Sequence, residues 1–326
     1  MIDPSDIFKI SNENDFETLA LKVFQFQFEN NAVYRSFCDL LYINPSDIFS
    51  STDIPFLPIQ FFKTHKVLSS KAPIQKIFES SGTTGSQTSK HYVTDLDLYR
   101  NAFMKGFEYN YGSVNNLVIL ALLPSYLERD NSSLVYMVDG LIKRSAQTEG
   151  GFFLDDFSTL IATLKQLESK GQKIVLIGVT FALLDLLEIE NFDLNNCIIM
   201  ETGGMKGKRK ELVKEELHKQ LKKGFGVDHI HSEYGMTELM SQAYSTSNNL
   251  FHTPPWMKVI ARDTEDPFTH LNSGRTGGLD IIDLANINSC AFISTQDLGR
   301  IHPNGSFEVL GRFDHSDIRG CNLMVL

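Results

Sequence analysis

Phe78-Glu79-Ser80-Ser81-Gly82-Thr83-Thr84-Gly85-Ser86-Gln87-Thr88-Ser89-Lys90-His91 is the stretch around which the chain is organised. Between Ser80 and Ser86, two glycines sit among five hydroxyl residues, and Lys90 follows. An apolar lead-in runs from Ile74 to Phe78, and a helix-like segment runs from Thr94 to Phe107. Such a loop offers free backbone N–H groups, hydroxyl donors and one positive charge, which are the parts needed to hold a polyphosphate. Glycine, serine and threonine also make ordinary turns, so the loop alone does not decide its use.

Outward from the loop, strands and helices alternate. Leu117 to Leu123, Lys173 to Val179, Cys197 to Met200 and Asp228 to Ser232 read as four buried strands. Helices are expected over residues 15–30 and 32–42, with Phe16, Leu19, Val23 and Phe26 on one side of the first. Further helices are expected over Asn131 to Lys143, Ser158 to Lys170 (Ser158 as cap), Phe181 to Glu188, and Lys208 to Lys223. The last should turn Leu212, Val213, Leu217 and Leu221 inward. Thr94-Asp95-Leu96-Asp97 resembles a capping box that opens the helix after the loop. Residues 53–68 are apolar and interrupted by proline, which predicts an extended, packed segment. The pattern predicts an α/β fold, with a parallel sheet flanked by helices.

The character changes near residue 247. From Trp256 on, short alternating segments are separated by turn signals at Thr276-Gly277-Gly278 and Pro303-Asn304-Gly305, which predicts a small antiparallel β subdomain. The expected organisation is an α/β core over 1–246, a β subdomain over 247–311, and a tail over 312–326 that carries Cys321.

Composition narrows the function. Apolar residues make up 42% and charged residues 21% of 326, an ordinary globular balance. A net charge of -10 disfavours nucleic acid and anionic lipid surfaces as partners. No secretory signal or run of about 20 apolar residues is expected to direct the chain into a membrane. Cys38, Cys197, Cys290 and Cys321 are widely spaced, which fits free thiols in a reducing cytoplasm.

Several later stretches bear on the loop. Tyr234-Gly235-Met236-Thr237-Glu238 follows the fourth strand, and its glycine turn brings Thr237 and Glu238 to the carboxyl edge of the sheet, where α/β ligands bind. Glu238 is a hard oxygen ligand suited to Mg²⁺ shared with phosphates. At Glu201-Thr202-Gly203-Gly204, the glycines let a flat ring approach the backbone. Asp297 can accept hydrogen bonds from ribose hydroxyls, and Arg312 offers a forked cation for phosphate or ribose. Each stretch alone is equally an ordinary junction. His229 and His231, at spacing two, have no third metal ligand in view, so structural or substrate-proximal roles are preferred.

Taken in this order, the stretches resemble the adenylate-forming superfamily of acyl-CoA synthetases and adenylation domains. The glycine loop resembles its phosphate-binding motif, Tyr234 to Glu238 its Y-G-x-T-E motif, Asp297 its ribose-binding aspartate, and Arg312 the arginine of G-R-x-D. A closer resemblance is to the acyl-protein synthetases of the LuxE type. It is carried by Ile54-Pro-Phe-Leu-Pro-Ile-Gln-Phe-Phe-Lys-Thr-His65, Ser80-Ser-Gly-Thr-Thr-Gly85, Leu123-Pro-Ser-Tyr-Leu-Glu-Arg129 and Gly311-Arg-Phe-Asp-His-Ser-Asp-Ile-Arg-Gly-Cys321. The superfamily's C-terminal domain with its catalytic lysine is expected to be absent.

The resemblance implies that ATP activates a carboxylic acid, fatty or aryl, as acyl-AMP. The acyl group then moves to Cys321 and on to an acceptor protein such as a reductase or carrier. Two anions must meet at the α-phosphorus, so the site must neutralise charge as it develops. Lys90, the loop amides and Mg²⁺ on Glu238 are the candidates, with Arg312 taking part of the missing lysine's role. Ser80, Ser81, Gly82, Thr83, Thr84, Gly85 and Thr237 would hold phosphates, Gly203, Gly204 and Asp297 the nucleoside, and Tyr234 and Gly235 would belong to the same cofactor-binding set. For Cys321 the competing reading is a plain buried cysteine. A CoA ligase of the phenylacetate type and a nucleotide-binding interaction protein without catalysis remain as alternatives. Homo- and hetero-oligomers both stay open.

Overall fold

The computed structural model describes residues 2–80, 87–124, 131–203 and 213–312. In chain order the elements are α1 (Glu13–Asn30), α2 (Ala32–Leu40), β1 (Leu57–Pro58), α3 (Phe61–Thr64), β2 (Lys76–Glu79), β3 (Lys90–Val93) and α4 (Leu96–Tyr111). Then come β4 (Val118–Leu122), α5 (Ser133–Ser145), β5 (Gly151–Phe152), α6 (Phe157–Ser169), β6 (Ile174–Val179), α7 (Thr180–Ile189), β7 (Cys197–Thr202), α8 (Lys214–Phe225) and β8 (Ile230–Tyr234). The chain continues through β9 (Ala243–Ser245), β10 (Phe251–His252), β11 (Met257–Arg262), β12 (Thr276–Asp283), β13 (Phe292–Ile301) and β14 (Phe307–Arg312).

The apolar runs at the centre of the chain form the parallel half of one large sheet. β4, β6, β7 and β8 lie side by side in parallel, with Val118 opposite Ile174, Ile174 opposite Cys197, and Ile199 opposite Ile230. Every residue of β4 and β6 is buried, as strands covered on both faces require. At β9 the sheet turns antiparallel and runs on through β10, β14, β13, β12 and β11, so both halves share one hydrogen-bonded sheet. β2 and β3 form a separate hairpin whose tip is the glycine loop.

Buried polar groups tie the pieces together. On α1, the buried amide of Gln27 donates to the Asn286 and Ile287 carbonyls at 3.0 and 2.9 Å and accepts from the Ala291 N–H at 2.9 Å. Asp283, buried at the end of β12, accepts from Met240 N and Ser241 N at 2.8 Å each and from the Ser241 hydroxyl at 2.7 Å. Burial still raises this carboxyl above its usual range, against the pull of those donors. This clamp fixes the segment that links β8 to β9, just after Glu238.

Local details differ from the sequence reading for identifiable reasons. Helix α4 is capped by Asp95, whose carboxylate accepts from Leu98 N, rather than by Thr94. Asp156 caps α6, and Ser158 donates its hydroxyl to that carboxylate instead of capping. Asp outcompetes the hydroxyls because an anion meets the helix N-terminus. Within the segment 208–223, residues 208–212 lie outside the described residues; α8 begins at Lys214, and Val213 is 72% exposed rather than inward. Thr276-Gly277-Gly278 is not a turn but the start of β12. A Cβ at Gly278 would stand 2.6 Å from the Arg262 guanidinium carbon, and one at Gly277 would stand 2.2 Å from the Arg262 carbonyl oxygen. The glycines make room for Arg262, which is buried against Asp280 at 2.8 Å.

Candidate active site

The glycine loop is closed at its base by its own flanks. Ser80 N donates to the Ser89 carbonyl at 3.1 Å, and Ser89 N donates to the Ser80 hydroxyl oxygen at 2.9 Å. Ser80 is thereby engaged in the hairpin. Ser81, Gly82, Thr83, Thr84 and Gly85 lie outside the described residues. Lys90 stands on the exposed side of β3, 3.6 Å from Glu79 across the hairpin.

Ser89 connects the loop to the Y-G-x-T-E segment. It is buried, and its side chain hydrogen-bonds the Glu238 carboxylate. Glu238 is itself 5% exposed. Burial pushes its carboxyl above the usual range, against the opposing pull of Ser89 and of the positive charges of Arg312 and Lys63. Lys63, on α3, lies in the segment 54–65 that carries part of the family resemblance, where the sequence reading gave it no role of its own.

His91 locks the backbone beneath Glu238. Its Nδ1 faces the Thr237 carbonyl at 2.8 Å and its Nε2 faces the Asn286 Oδ1 at 3.0 Å, while Asn286 Nδ2 donates to the Glu238 carbonyl at 2.7 Å. Both ring nitrogens meet oxygens, so both contacts are hydrogen bonds only when the ring carries two protons. Burial works the other way and pushes the imidazole down to about 4. Near neutral pH the ring is therefore neutral and donates to one of the two oxygens.

On the other side of the same segment, Tyr234 donates its hydroxyl to Asp297 Oδ2 at 2.7 Å. Arg312 Nε stands 3.2 Å from Asp297 Oδ1. β13 and β14 place Asp297 directly opposite Arg312, so register makes this pair. Burial raises the Asp297 carboxyl, and Tyr234 and Arg312 pull it back. Arg312 is mostly exposed, leaving its guanidinium open to a ligand.

The ends of β7 and β8 carry two more carboxyls. Gly203 sits at φ +68 at the close of β7, with open space where a Cβ would stand, and its carbonyl accepts from the Thr180 hydroxyl at 2.7 Å. Gly204 lies outside the described residues. Glu201 accepts from the Ser232 hydroxyl at 2.6 Å and faces Lys214 at 3.2 Å and His218 at 3.7 Å. Burial pushes this carboxyl up, but His218, Lys214 and Ser232 together hold it down at about 2. Glu233, on the opposite face of the sheet, accepts from the Thr202 hydroxyl at 2.7 Å. Burial raises it to about 7.

The structure thus brings Tyr234, Gly235, Thr237, Glu238, Asp297 and Arg312 to one edge of the sheet, beside the base of the glycine loop. His229 precedes β8 and is exposed, while His231 contacts Tyr111 at 3.3 Å. Among the described residues no group of three or more His, Cys, Asp and Glu is placed to hold a metal. Cys38, Cys197 and Cys290 are free thiols. Cys321 lies outside the described residues. Sequence reasoning missed Ser89, His91, Asn286 and Lys63 as site residues. His91 had a signal, since a histidine directly after the loop lysine sits on the same hairpin. Asn286 had none, because its partners are about fifty and two hundred residues away along the chain.

An edge of this kind can hold an anionic nucleotide: a carboxylate for hydroxyls, an open guanidinium, and a buried carboxyl beside the loop. The family described as "Acyl-protein synthetase, LuxE" matches residues 2–326. A long-chain-fatty-acid–luciferin-component ligase from Vibrio harveyi is 23% identical over 325 residues, covering 92% of this chain and 84% of its own. Among solved structures, an open conformation of 2-hydroxyisobutyryl-CoA ligase in complex with 2-HIB-AMP and CoA superposes with a TM-score of 0.71 at 14% identity, covering 93% of this chain and 70% of its own. ATP-bound MatB from Rhodopseudomonas palustris gives a TM-score of 0.57 at 18% identity over 75% of this chain, which spans about half (49%) of MatB. These likenesses establish the fold of adenylate-forming ligases.

Proposed function

The chain belongs to the LuxE family of acyl-protein synthetases and is a ligase, and we propose that it activates a carboxylic acid as acyl-AMP at the carboxyl edge of its sheet and passes the acyl group to a protein thiol. The observation that carries this reading is the meeting of Tyr234, Asp297 and Arg312, which come from distant parts of the chain, with Arg312 left open to solvent. The Vibrio relative's name supports a long-chain fatty acid as substrate, and the ATP-bound structural neighbour supports ATP as its partner.

In this reading the Asp297 carboxylate receives the ribose hydroxyls, and the Arg312 guanidinium meets negative charge on phosphate. Gly203 leaves a flat approach for the adenine ring. Lys90 and the loop amides stand at the pyrophosphate end, and Lys63 adds a second cation near Glu238. The acid's carboxylate attacks the α-phosphorus, the bond to pyrophosphate breaks, and acyl-AMP forms. Mg²⁺, when bound, neutralises charge on phosphate oxygens. Glu238 is the residue that would hold it, with water and phosphate completing the shell that Mg²⁺ favours. The buried Glu238 carboxyl, raised by desolvation, fits a site that ionises fully when a cation arrives. The Cys321 thiolate then attacks the acyl carbon and AMP leaves. Onward transfer would go to a protein acceptor, a reductase or carrier.

Pyrophosphate–ATP exchange with a panel of carboxylic acids tests the first step. The expected result is exchange that requires acid; its absence at every chain length overturns the reading. In the same preparation, labelled acid and ATP should leave a hydroxylamine-sensitive label that Cys321→Ser abolishes. An undiminished label in that variant removes Cys321 from the mechanism.

A further inference from the structure

Helix α3 is pinned to the carboxyl edge from two sides. β1 runs parallel to β13, with Leu57 opposite Ile293 and Pro58 opposite Ser294, and Ile59 N donates to the Ser294 carbonyl at 2.9 Å. β13 runs on from Ser294 to Asp297, and the chain leaving β1 in the same direction turns into α3. Phe62, buried on α3, meets the His91 ring edge-on with centroids 6.0 Å apart. His91 Nδ1 in turn faces the carbonyl of Thr237, the residue before Glu238, at 2.8 Å. The helix is therefore anchored to the strand that carries Asp297 and, through His91, to the backbone that carries Glu238.

Lys63 follows Phe62 on α3 and is exposed. Its charge reaches the buried Glu238 carboxyl, which Arg312 and Lys63 both pull down against desolvation. Among the described residues Lys63 forms no ion pair. The lysines beside it are engaged: Lys90 faces Glu79 at 3.6 Å, and the Lys66 ammonium stands 5.5 Å from the centre of the Tyr92 ring. Arg312 is anchored on Asp297 at 3.2 Å, on the ribose side of the site in the reading above. Lys63 is thus a positive charge on the Glu238 side, carried by an element fixed at its base, with three N–H donors to offer a ligand. An ammonium is a compact charge with rotatable donors, which suits phosphate oxygens that move apart as a bond breaks.

We infer that Lys63 is a catalytic residue of the adenylation step, whose ammonium binds the β- and γ-phosphates of ATP and carries the charge of the departing pyrophosphate. This rests on the adenylation reading above and deepens it by assigning a residue to the leaving group. As the acid's carboxylate oxygen bonds to the α-phosphorus, the bond from that phosphorus to the bridging oxygen breaks, and its electron pair goes to pyrophosphate. Lys63 supplies charge and hydrogen bonds at the point where negative charge grows, and it transfers no proton.

The experiment is pyrophosphate–ATP exchange on the full chain, with the acid that exchanges fastest in the parent, varying ATP, pyrophosphate and acid in turn. Lys63→Met keeps the stem and removes the charge. It should lower kcat/KM for ATP and for pyrophosphate by about tenfold or more, the scale of a lost hydrogen bond to a charged group. KM for the acid should stay as in the parent, and Lys63→Arg should recover most of the loss. Urea denaturation midpoints of the three proteins should coincide, because the side chain is exposed. Exchange in the parent with no loss in Lys63→Met overturns this inference and leaves adenylation standing. A loss confined to KM for the acid, or an equal loss in Lys63→Arg and Lys63→Met, overturns it too. No exchange in the parent with any acid overturns the adenylation reading and this inference with it.

Discussion

Glu201 and Glu233 stand on neighbouring strands at one end of the sheet, one register step apart, and meet opposite fates. Glu201 turns to the α7–α8 face, where Ser232, Lys214 and His218 surround it and hold it down at about 2. Glu233 turns to the α4 face, where burial raises it to about 7 against the pull of the Thr202 hydroxyl. Strand alternation alone separates them, because successive side chains point to opposite faces. On one face the carboxylate's charge is compensated by cations and a hydroxyl; on the other, burial holds the carboxyl toward its neutral form.

The largest effect should come from breaking the compensated face. Glu201→Gln leaves Lys214 and His218 without their anion, and should destabilise the fold by about 3 kcal/mol in urea denaturation. A loss near zero would make the two faces equivalent. Next in size is the titration of Glu233. Its folded pKa lies above the usual 4.5, so its contribution is complete below pH 4.5 and is lost as the pH rises through about 7. Glu233→Gln removes that loss, so its stability relative to the parent should climb by on the order of 2 kcal/mol between pH 4.5 and 7. A constant gap across that window would contradict the assignment. His91 and His231, both lowered to about 4, act with the opposite sign and lose stability as the pH falls below 6.5, so the test is the difference between variant and parent. Smallest is Thr202→Val, which removes the hydroxyl donated to Glu233 and should cost about 1 kcal/mol. It should also move the Glu233 titration upward, which a pH series of the same denaturation experiment reads.

The same division explains what could be read from the sequence. The parallel strands were legible because burial on both faces writes an unbroken apolar run, as in Val118 to Leu122. Tyr234, Glu238, Asp297 and Arg312 were legible as members of ordered motifs, and the sheet then set Asp297 opposite Arg312. Pairings across the fold were not legible. Nothing near Glu201 in sequence announces Lys214 and His218, and nothing near His91 announces Asn286. Thr276-Gly277-Gly278 misled because glycine signals a turn as readily as it signals a close approach, and the approaching Arg262 is supplied by another strand. Ser89 hid among the hydroxyls of the loop, where only burial against Glu238 sets it apart.

In the proposed reaction the acid's own carboxylate oxygen attacks the α-phosphorus at this edge. A carboxylic acid doubly labelled with ¹⁸O in its carboxylate tests it, with ATP and the full chain, by mass spectrometry of the nucleotide and phosphate products. Adenylation predicts one ¹⁸O in AMP once the acyl group has moved on, because the attacking oxygen stays with phosphorus when the acyl bond breaks. Label in orthophosphate with ADP as the nucleotide product, or AMP free of label after acyl transfer, would contradict it.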